Sequence, residues 1–405
     1  MTKAGPDVSV PPDAGTADVP EAASPRPILR ALFCVQSLEG GGAERQIAYL
    51  ANALARRRWD VHLAVLRFGP NWTRIDRERI RLHRLEALGN YDPRLLRGIW
   101  RVARSVRPSV VLTWLPQMDT LGGCCANLLG LPWILCERTS GRAYGRGLRE
   151  LVRRQIARGA SAVVANSEGG AAYWRPGRPG RPVLVVPNIV PVAEIEASAA
   201  AAPGTLRPAG GPGVIVCVGR LVEVRNHATV IEALSRVRRE TAARLEVLGK
   251  GPEAGRLRSL AARLRLGDAV SFLGFVDDVY PRMRRADAFV SVSALEGHPN
   301  ATIEAAVAGC PLVLSDIPEH RALFSDDEAL FVPPRDPDGL AEALLATLGD
   351  PDGARARRGG QASGSRRRRG RRGGDLRPVD ARTRESRAAV DCPPEDACND
   401  RARGW

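Results

Sequence analysis

The sequence predicts an α/β protein made of two doubly wound, Rossmann-like domains. Short apolar, β-branched segments alternate with segments whose apolar residues recur at helical spacing, which is typical of helices covering a parallel sheet. In each half the first predicted strand, residues 28–35 and 214–218, runs into a glycine turn that opens a helix. Doubly wound domains begin in this way. Between the halves lies a stretch rich in Pro, Ala and Gly, which indicates a linker.

These patterns divide the 405 residues into five parts. The predicted N-terminal domain spans residues 28–190, the linker 191–212 and the C-terminal domain 213–350. Residues 1–27 contain no apolar core, so they predict a disordered leader and not a signal peptide. Residues 351–405 predict a disordered Arg/Gly-rich tail, because no apolar helical stripe continues into them. Its run RRRRGRRGG is what a GC-rich gene yields when read out of frame, so a frameshift is one hypothesis and a genuine basic tail the other.

Charge and cysteine content narrow the function classes. The net charge is +15, and the tail alone has 15 arginines against 8 acidic residues. A nucleic-acid binder is disfavoured, because that arginine run has no aromatic residues on which bases could stack. The eight cysteines form no C-x-x-C pair, which favours a reduced cytosolic protein. The five histidines share no ligand spacing, and no aspartate-rich turn follows the strands of the candidate site, so no metal is expected.

One stretch of the second half is organised as strand, polar loop and helix. Residues 289–292 predict a buried strand, Glu296 lies on the loop, and Glu304 lies in the first turns of a helix that Gly309 ends. The N-terminus of a helix attracts phosphate oxygens, whereas carboxylates accept hydrogen bonds from paired hydroxyls. The combination therefore suits a nucleotide sugar. The alternative is an alanine-rich helix with two surface glutamates.

The stretch EGHPNATIE, followed by AAVAGCP, resembles the signature of the retaining glycosyltransferases of family 4. The resemblance extends over residues 27–349 and includes GGAER after the first strand. It implies an α/β, GT-B fold with two Rossmann-like domains facing a cleft, the first for the acceptor and the second for the donor. It also implies retention of the anomeric configuration by a front-face mechanism that needs neither metal nor cofactor, since the nucleoside-diphosphate sugar is a co-substrate.

The same resemblance assigns roles to individual residues. Glu296 would face the sugar hydroxyls, and Arg220 and Arg225 would clamp the donor diphosphate; Arg225 stands where the family pattern has lysine. Glu137 lies where relatives often have a catalytic histidine, the alternative being a surface salt bridge between Glu137 and Arg138. The residues expected to bind the donor, with Glu304 holding the ribose, are Gly41, Gly42, Asn226, Lys250, Phe275, Val276, Gly297, His298, Asn300, Ala301, Thr302 and Glu304.

The function implied is transfer of a sugar from a nucleoside-diphosphate sugar, a UDP-sugar, to a lipid-linked or polysaccharide acceptor in cell-envelope glycan synthesis. The alternative is a non-catalytic GT-B protein that binds nucleotide sugars and is inactivated by its altered C-terminus. Basic helical segments at residues 93–107 and 146–158 predict contact with an anionic membrane surface, the alternative being a solvated face. We expect a cytoplasmic protein, peripheral on the inner face of the plasma membrane, with no specific nucleic-acid partner.

Overall fold

The computed structural model describes residues 28–39, 41–89, 92–139, 144–145, 147–178, 180–201, 211–350 and 353–354. The predicted leader and, except for residues 353–354, the predicted tail lie outside the described residues. The expectations about both segments therefore stay predictions.

The first half of the chain forms a seven-stranded parallel sheet in the order β3-β2-β1-β4-β5-β6-β7. Its strands are β1 (Arg30–Ser37), β2 (Asp60–Arg67), β3 (Ile80–Arg84), β4 (Val110–Trp114), β5 (Trp133–Glu137), β6 (Ala162–Ala165) and β7 (Val183–Val185). The helices that connect them are α1 (Gly42–Arg56), α2 (Pro93–Val106), α3 (Pro116–Leu128), α4 (Leu148–Ala157) and α5 (Glu168–Trp174).

The second half forms a six-stranded parallel sheet in the order β10-β9-β8-β11-β12-β13. Its strands are β8 (Gly213–Val218), β9 (Ala243–Leu248), β10 (Val270–Gly274), β11 (Ala288–Ser291), β12 (Leu312–Ser315) and β13 (Ala329–Val332). The helices of this half are α6 (Val192–Ala200), α7 (His227–Glu240), α8 (Ala254–Arg263), α9 (Val279–Arg285), α10 (Asn300–Ala308), α11 (Pro318–Arg321) and α12 (Pro337–Gly349).

Both faces of each sheet are covered, as parallel sheets require. Along β1, Leu32 and Cys34 belong to one apolar core, which also includes side chains of α2 and α3, whereas Phe33 and Val35 belong to the core on the α1 side. Strand β8 alternates in the same way between two further cores. The uninterrupted apolar runs in the sequence therefore correspond to strands that are buried on both faces.

The predicted linker, residues 191–212, contains a helix, because α6 lies within it. Ile195 on this helix is fully buried and packs with α9 and α10 in a core of the second domain. Alanines are strong helix formers, so six alanines or glutamates in nine residues stabilise a helix here despite the flanking prolines. The remaining linker residues 202–210 lie outside the described residues.

Within the described part of the chain, no helix is both long enough and apolar enough to cross a membrane. The cysteines described in the structure are free, and all but Cys124 are buried. Burial raises the pKa of the Cys217 thiol to about 12, so this residue packs as an apolar side chain.

Candidate functional site

The strand order of each sheet reverses at one place, between β1 and β4 and between β8 and β11. Open α/β sheets bind ligands in the crevice at the carboxyl ends of such strands. Here the two crevices face each other. A Cβ atom added to Gly42 would lie 2.7 Å from Asn300 Nδ2, and one added to Gly297 would lie 2.7 Å from the carbonyl oxygen of Arg138. Glycine at both positions therefore lets the two domains approach closely.

Glu296 and Arg225 form an ion pair on the second-domain wall of this cleft. Glu296 is 4% exposed, and its Oε1 also accepts a hydrogen bond of 2.8 Å from Ser293 Oγ. The side chain of Arg225 is 30% exposed, so it is only partly buried by this pairing. The structure thus brings together two of the residues predicted to be catalytic, at the end of β11 and beside the start of α10.

Arg220 is the other arginine predicted to clamp the donor diphosphate. It is exposed at the turn after β8, and its charge acts on Glu44 of α1. Its carbonyl oxygen lies 3.2 Å from Nε2 of His227, while Nδ1 of that ring lies 3.2 Å from the Cys217 sulfur. Burial lowers the pKa of His227 to about 4, so the ring is neutral at pH 7. His227 therefore supports the Arg220 turn and carries no charge itself.

Glu304 pairs with an arginine that the sequence reasoning did not select. Its carboxylate is ion-paired with Arg45 of α1, and Nη1 of Arg45 also lies 3.5 Å from the Tyr280 hydroxyl. Burial raises the pKa of Glu304 to about 7, although Arg45 acts in the opposite direction. The predicted ribose-binding carboxylate is therefore buried and already has a partner from the first domain. The signal for Arg45 was its place in GGAER, directly after the first strand.

Asn300, the first residue of α10, joins the two domains. Its Oδ1 accepts a hydrogen bond of 2.8 Å from Asn188 Nδ2 and lies 3.3 Å from Nδ1 of His298. Burial lowers the pKa of His298 below its usual value, which favours the neutral ring near pH 7. Gly41 precedes α1 on the opposite wall. These residues place the start of α10, with its free N–H groups, inside the cleft.

Other predicted donor residues have mainly internal roles. Asn226 adopts a left-handed backbone conformation with φ of 51°, is buried, and donates through Nδ2 to the Val292 carbonyl oxygen at 2.9 Å. Its side chain therefore ties the loop after β8 to the end of β11, and its contact with the donor stays a prediction. Thr302 is 1% exposed, and the partly buried Ala301 packs against the core. For these two residues only the backbone N–H groups remain to face a ligand.

Lys250, Phe275 and Val276 form a separate group at the ends of β9 and β10. Lys250 is exposed, and its Cε would lie 3.4 Å from a Cβ atom on Gly274. Phe275 is 48% exposed, which is unusual for a large aromatic side chain, whereas Val276 is partly buried. An exposed ring beside a strand end is suited to contact a planar base.

Glu137 is not a surface residue, so the surface salt bridge considered for it is wrong. It is 1% exposed at the end of β5. Its carboxylate accepts hydrogen bonds from the backbone N–H groups of Arg138 and Thr139, the Tyr144 hydroxyl, Arg153 Nη2 and Trp174 Nε1. A carboxylate with five donors is fully engaged, so its predicted catalytic role is not supported either. It instead shapes the loop that carries Arg138.

Arg153 is the cation at the centre of this buried network. It is 2% exposed and donates to Glu137 and to Asp119, whose Oδ2 lies 2.7 Å from Arg153 Nη2. Burial raises the pKa of Asp119 to about 6 against the effect of Arg153. Arg153 therefore cannot belong to a membrane-facing basic stripe, which corrects the prediction for residues 146–158.

The described residues contain no group of three His, Cys, Asp or Glu side chains close enough to hold a metal ion. His62 and His83 do come together, with 2.8 Å between Nδ1 and Nε2, although their sequence spacing did not suggest it. The expectation that the chemistry needs no metal stays a prediction.

Two family models match the chain in succession. The model described as "Glycosyl transferase 4-like domain" matches residues 41–189, and the model described as "Glycosyl transferases group 1" matches residues 212–350. The first match includes strands β2 to β7 of the first sheet, and the second includes all six strands of the second sheet.

Individual relatives extend this likeness. The lipopolysaccharide core biosynthesis glycosyltransferase LpsE of Rhizobium meliloti is 29% identical over 321 residues, which make up 76% of this chain and 86% of LpsE. The N-acetylgalactosamine-N,N'-diacetylbacillosaminyl-diphospho-undecaprenol 4-alpha-N-acetylgalactosaminyltransferase of Campylobacter jejuni is 34% identical over 138 residues, 34% of this chain and 37% of that protein.

A solved structure shows the same fold. The crystal structure of Anabaena HepE in complex with UDP and glucose superimposes with a TM-score of 0.72 at 20% identity, covering 84% of this chain and 95% of HepE. This likeness and the two parallel sheets confirm the predicted fold class, an α/β, GT-B architecture of two Rossmann-like domains.

Proposed function

We propose that this chain, which belongs to the group 1 glycosyltransferases of family 4 and has the GT-B fold, transfers a sugar from a UDP-sugar to a lipid-linked or polysaccharide acceptor in cell-envelope glycan synthesis. The Rhizobium relative is a lipopolysaccharide core glycosyltransferase, and the name of the Campylobacter relative contains a diphospho-undecaprenol acceptor. The Anabaena structure contains UDP and glucose. These relatives support the donor and acceptor classes.

The observation that carries the proposal is the placement of two buried carboxylates on either side of the start of α10. Glu296, paired with Arg225, lies before the helix, and Glu304 lies one turn inside it. A diphosphate against the helix N-terminus would place a ribose near Glu304 and a sugar near Glu296. Arg225 would then stabilise the charge on the departing diphosphate.

We further propose that the anomeric configuration is retained by a front-face mechanism without a protein nucleophile. Glu296 is hydrogen-bonded to Ser293 and paired with Arg225, so its carboxylate is held toward charge that develops at the sugar carbon. Arg225 and the α10 N–H groups supply the positive charge that a metal ion supplies in other transferases. Glu296 would stabilise, electrostatically, the positive charge that develops at the sugar carbon.

The test of the donor is a thermal shift with UDP-glucose, with and without EDTA. A ligand at about 100 times its Kd stabilises the folded state by about 2.7 kcal/mol, which for domains of this size is a rise of roughly 5–10 °C in Tm. We expect this rise in EDTA as well, and acceptor-dependent release of UDP. A Tm unchanged by UDP-, GDP- and ADP-sugars would contradict the proposal, and a rise abolished by EDTA would contradict its metal-independence.

Donor affinity should depend on pH through Glu304. With a pKa of about 7, this carboxyl group is increasingly protonated as the pH falls below 7, and a protonated group accepts fewer hydrogen bonds from the ribose hydroxyls. If only the ionised form binds, the Kd of UDP-glucose rises about tenfold between pH 8 and pH 6. Titration calorimetry measures this change. Glu304→Gln should bind more weakly and with little pH dependence. An unchanged pH profile in Glu304→Gln would exclude Glu304 as the titrating group.

Membrane contact is proposed for the outer face of α4. Leu148, Leu151 and Val152 are 75%, 53% and 42% exposed, and Arg149 and Arg158 are exposed beside them. Apolar and basic side chains on one exposed helix face favour an anionic lipid surface. This face excludes the buried Arg153, so it replaces the stripe predicted from the sequence.

We expect the protein to sediment with anionic vesicles at low salt and to be released as salt screens the attraction. Arg149→Glu with Arg158→Glu should lower the vesicle-bound fraction severalfold. The matched control is Arg239→Glu with Arg263→Glu, two exposed positions on the second domain, which should sediment like the wild type. Equal sedimentation of the two double variants would show that this face is merely solvated.

A further inference from the structure

Arg138 is the first residue after β5, and its side chain lies on the first-domain wall of the cleft. Its guanidinium carbon lies 3.9 Å from the centre of the Trp114 ring, and its Nη1 donates to Asn188 Oδ1 at 3.2 Å. Trp114 is itself fixed by a hydrogen bond of 3.1 Å from Nε1 to the Ala43 carbonyl oxygen. The guanidinium plane is therefore held by an aromatic face and an amide, both of which are neutral.

The backbone of Arg138 is fixed on both sides. Its N–H donates to Glu137 Oε1 at 2.9 Å, and its carbonyl oxygen accepts from Asn166 Nδ2 at 3.2 Å. Since Glu137 is locked to Arg153, this backbone is anchored in the buried network of the first domain. Such anchoring fixes the position of a cation before a ligand arrives.

Arg138 differs from Arg45 and Arg225, which also lie at the cleft. Arg45 is paired with Glu304 and Arg225 with Glu296, whereas no carboxylate of the described chain lies within 4.0 Å of the Arg138 guanidinium. Its Nε is also buried without a hydrogen-bond partner among the described residues. A half-buried guanidinium group without an anionic partner is poised to bind one.

Two contacts link Arg138 to the start of α10. The backbone of Gly297 abuts the Arg138 carbonyl, and the chain Arg138–Asn188–Asn300 leads to the first residue of α10. The positive charge of Arg138 also contributes to the lowered pKa of His298, so the two side chains share one electrostatic environment. The Arg138 guanidinium group and the positive end of the α10 dipole thus lie on either side of this part of the cleft, and the nearby Glu296 carboxylate is already paired with Arg225.

From this geometry we infer that Arg138 binds a phosphoryl group in the cleft, opposite the N-terminus of α10. This inference rests on the proposed function. The phosphoryl group comes either from the donor diphosphate or from a phosphate of the acceptor. Arginine matches phosphate oxygens with two parallel N–H donors, which lysine cannot do. Arg138 is therefore a specificity residue contributed by the acceptor domain.

Titration calorimetry measures the binding of uridine and of UDP to the free protein. It also measures the binding of inorganic pyrophosphate to protein that is already saturated with UDP-glucose. If the donor supplies the phosphate, Arg138→Ala weakens the binding of UDP at least tenfold and leaves the binding of uridine unchanged. If the acceptor supplies it, UDP binding is unchanged and pyrophosphate binding to the saturated protein is lost. Wild-type affinity of Arg138→Ala for both UDP and pyrophosphate overturns the inference.

Two further variants keep this test interpretable. Arg138→Gln removes the charge with less loss of volume and replaces Arg138→Ala if that variant does not fold. Arg97→Ala, an exposed arginine on α2, is the matched control and should bind every probe as the wild type does. Wild-type protein that does not bind UDP would refute the proposed donor itself, whereas normal binding by wild type and by Arg138→Gln refutes only the role of Arg138.

Discussion

Replacing Arg225 by alanine is expected to lower kcat by about 10²–10³-fold, the loss seen when one preorganised donor to a developing negative charge is removed. The negative charge on the leaving diphosphate grows as the bond to the sugar breaks, so a cation at this position acts more strongly in the transition state than in the ground state. The Kd of UDP-glucose should therefore rise by a smaller factor than kcat falls. Steady-state kinetics and calorimetry together measure the two quantities.

The variant Arg225→Lys tests geometry apart from charge, and it should recover only part of the rate because lysine lacks the planar fork. Arg239→Ala, an exposed arginine on α7 of the same domain, is the control and should keep wild-type kcat. Glu296→Gln should lower kcat more than it weakens donor binding, and its effect should not add to that of Arg225→Ala, because the two side chains form one pair. Wild-type kcat in Arg225→Ala would refute the clamp.

The strands were predictable because buried parallel strands have a simple signature. The predicted strands 214–218 and 289–292 lie within one residue of β8 and β11, since both are short apolar runs bounded by turns. Strand β3 was not predicted. Its sequence IRLHR lies at the sheet edge, where only Ile80 is buried, so arginine and histidine alternate with the apolar residues. Edge strands of this kind resemble loops in composition.

The local part of the site was also predictable, whereas its partners across the chain were not. Glu296, His298 and Asn300 lie in one loop and helix start, so the signature placed them together. The pairing of Glu304 with Arg45 joins residues 259 positions apart, and no periodicity within one helix can indicate it. The contact exists because the start of α1 in the first domain faces α10 of the second across the cleft.

The basic helix α4 shows how a helical pattern can be assigned to the wrong face. Adjacent positions on a helix point about 100° apart, so Arg153 can be buried while its neighbour Arg154 is exposed. The sequence suggested that the apolar residues would be inside and the arginines outside. In the structure Leu151 and Val152 are exposed and Arg153 is buried, because Asp119 of α3 and Glu137 of β5 provide its charge partners. Those partners are invisible from α4 alone.

Replacing Arg153 by methionine should destabilise the N-terminal domain by about 3–5 kcal/mol, because it leaves buried carboxylates without their cation. Asp119 is fully buried and Glu137 is 1% exposed, so water cannot take over the role of Arg153. Six of the seven tryptophans lie between residues 59 and 174, so urea unfolding followed by tryptophan fluorescence reports on this domain. With a typical urea dependence, the midpoint should fall by roughly 2 M.

The pH dependence of this loss identifies its cause. Burial already raises the pKa of Asp119 to about 6 in the wild type, and removal of Arg153 should raise it further. A carboxyl group whose folded pKa lies above its unfolded value favours folding at low pH and loses that contribution as the pH rises through the folded value. The stability deficit of Arg153→Met should therefore be smaller at pH 5 than at pH 8.

The triple variant Arg153→Met, Asp119→Asn, Glu137→Gln should regain part of the stability at pH 8, and Arg158→Met, an exposed control, should unfold like the wild type. A deficit of the same size at both pH values would mean that lost packing, and not the uncompensated charge, destabilises the variant.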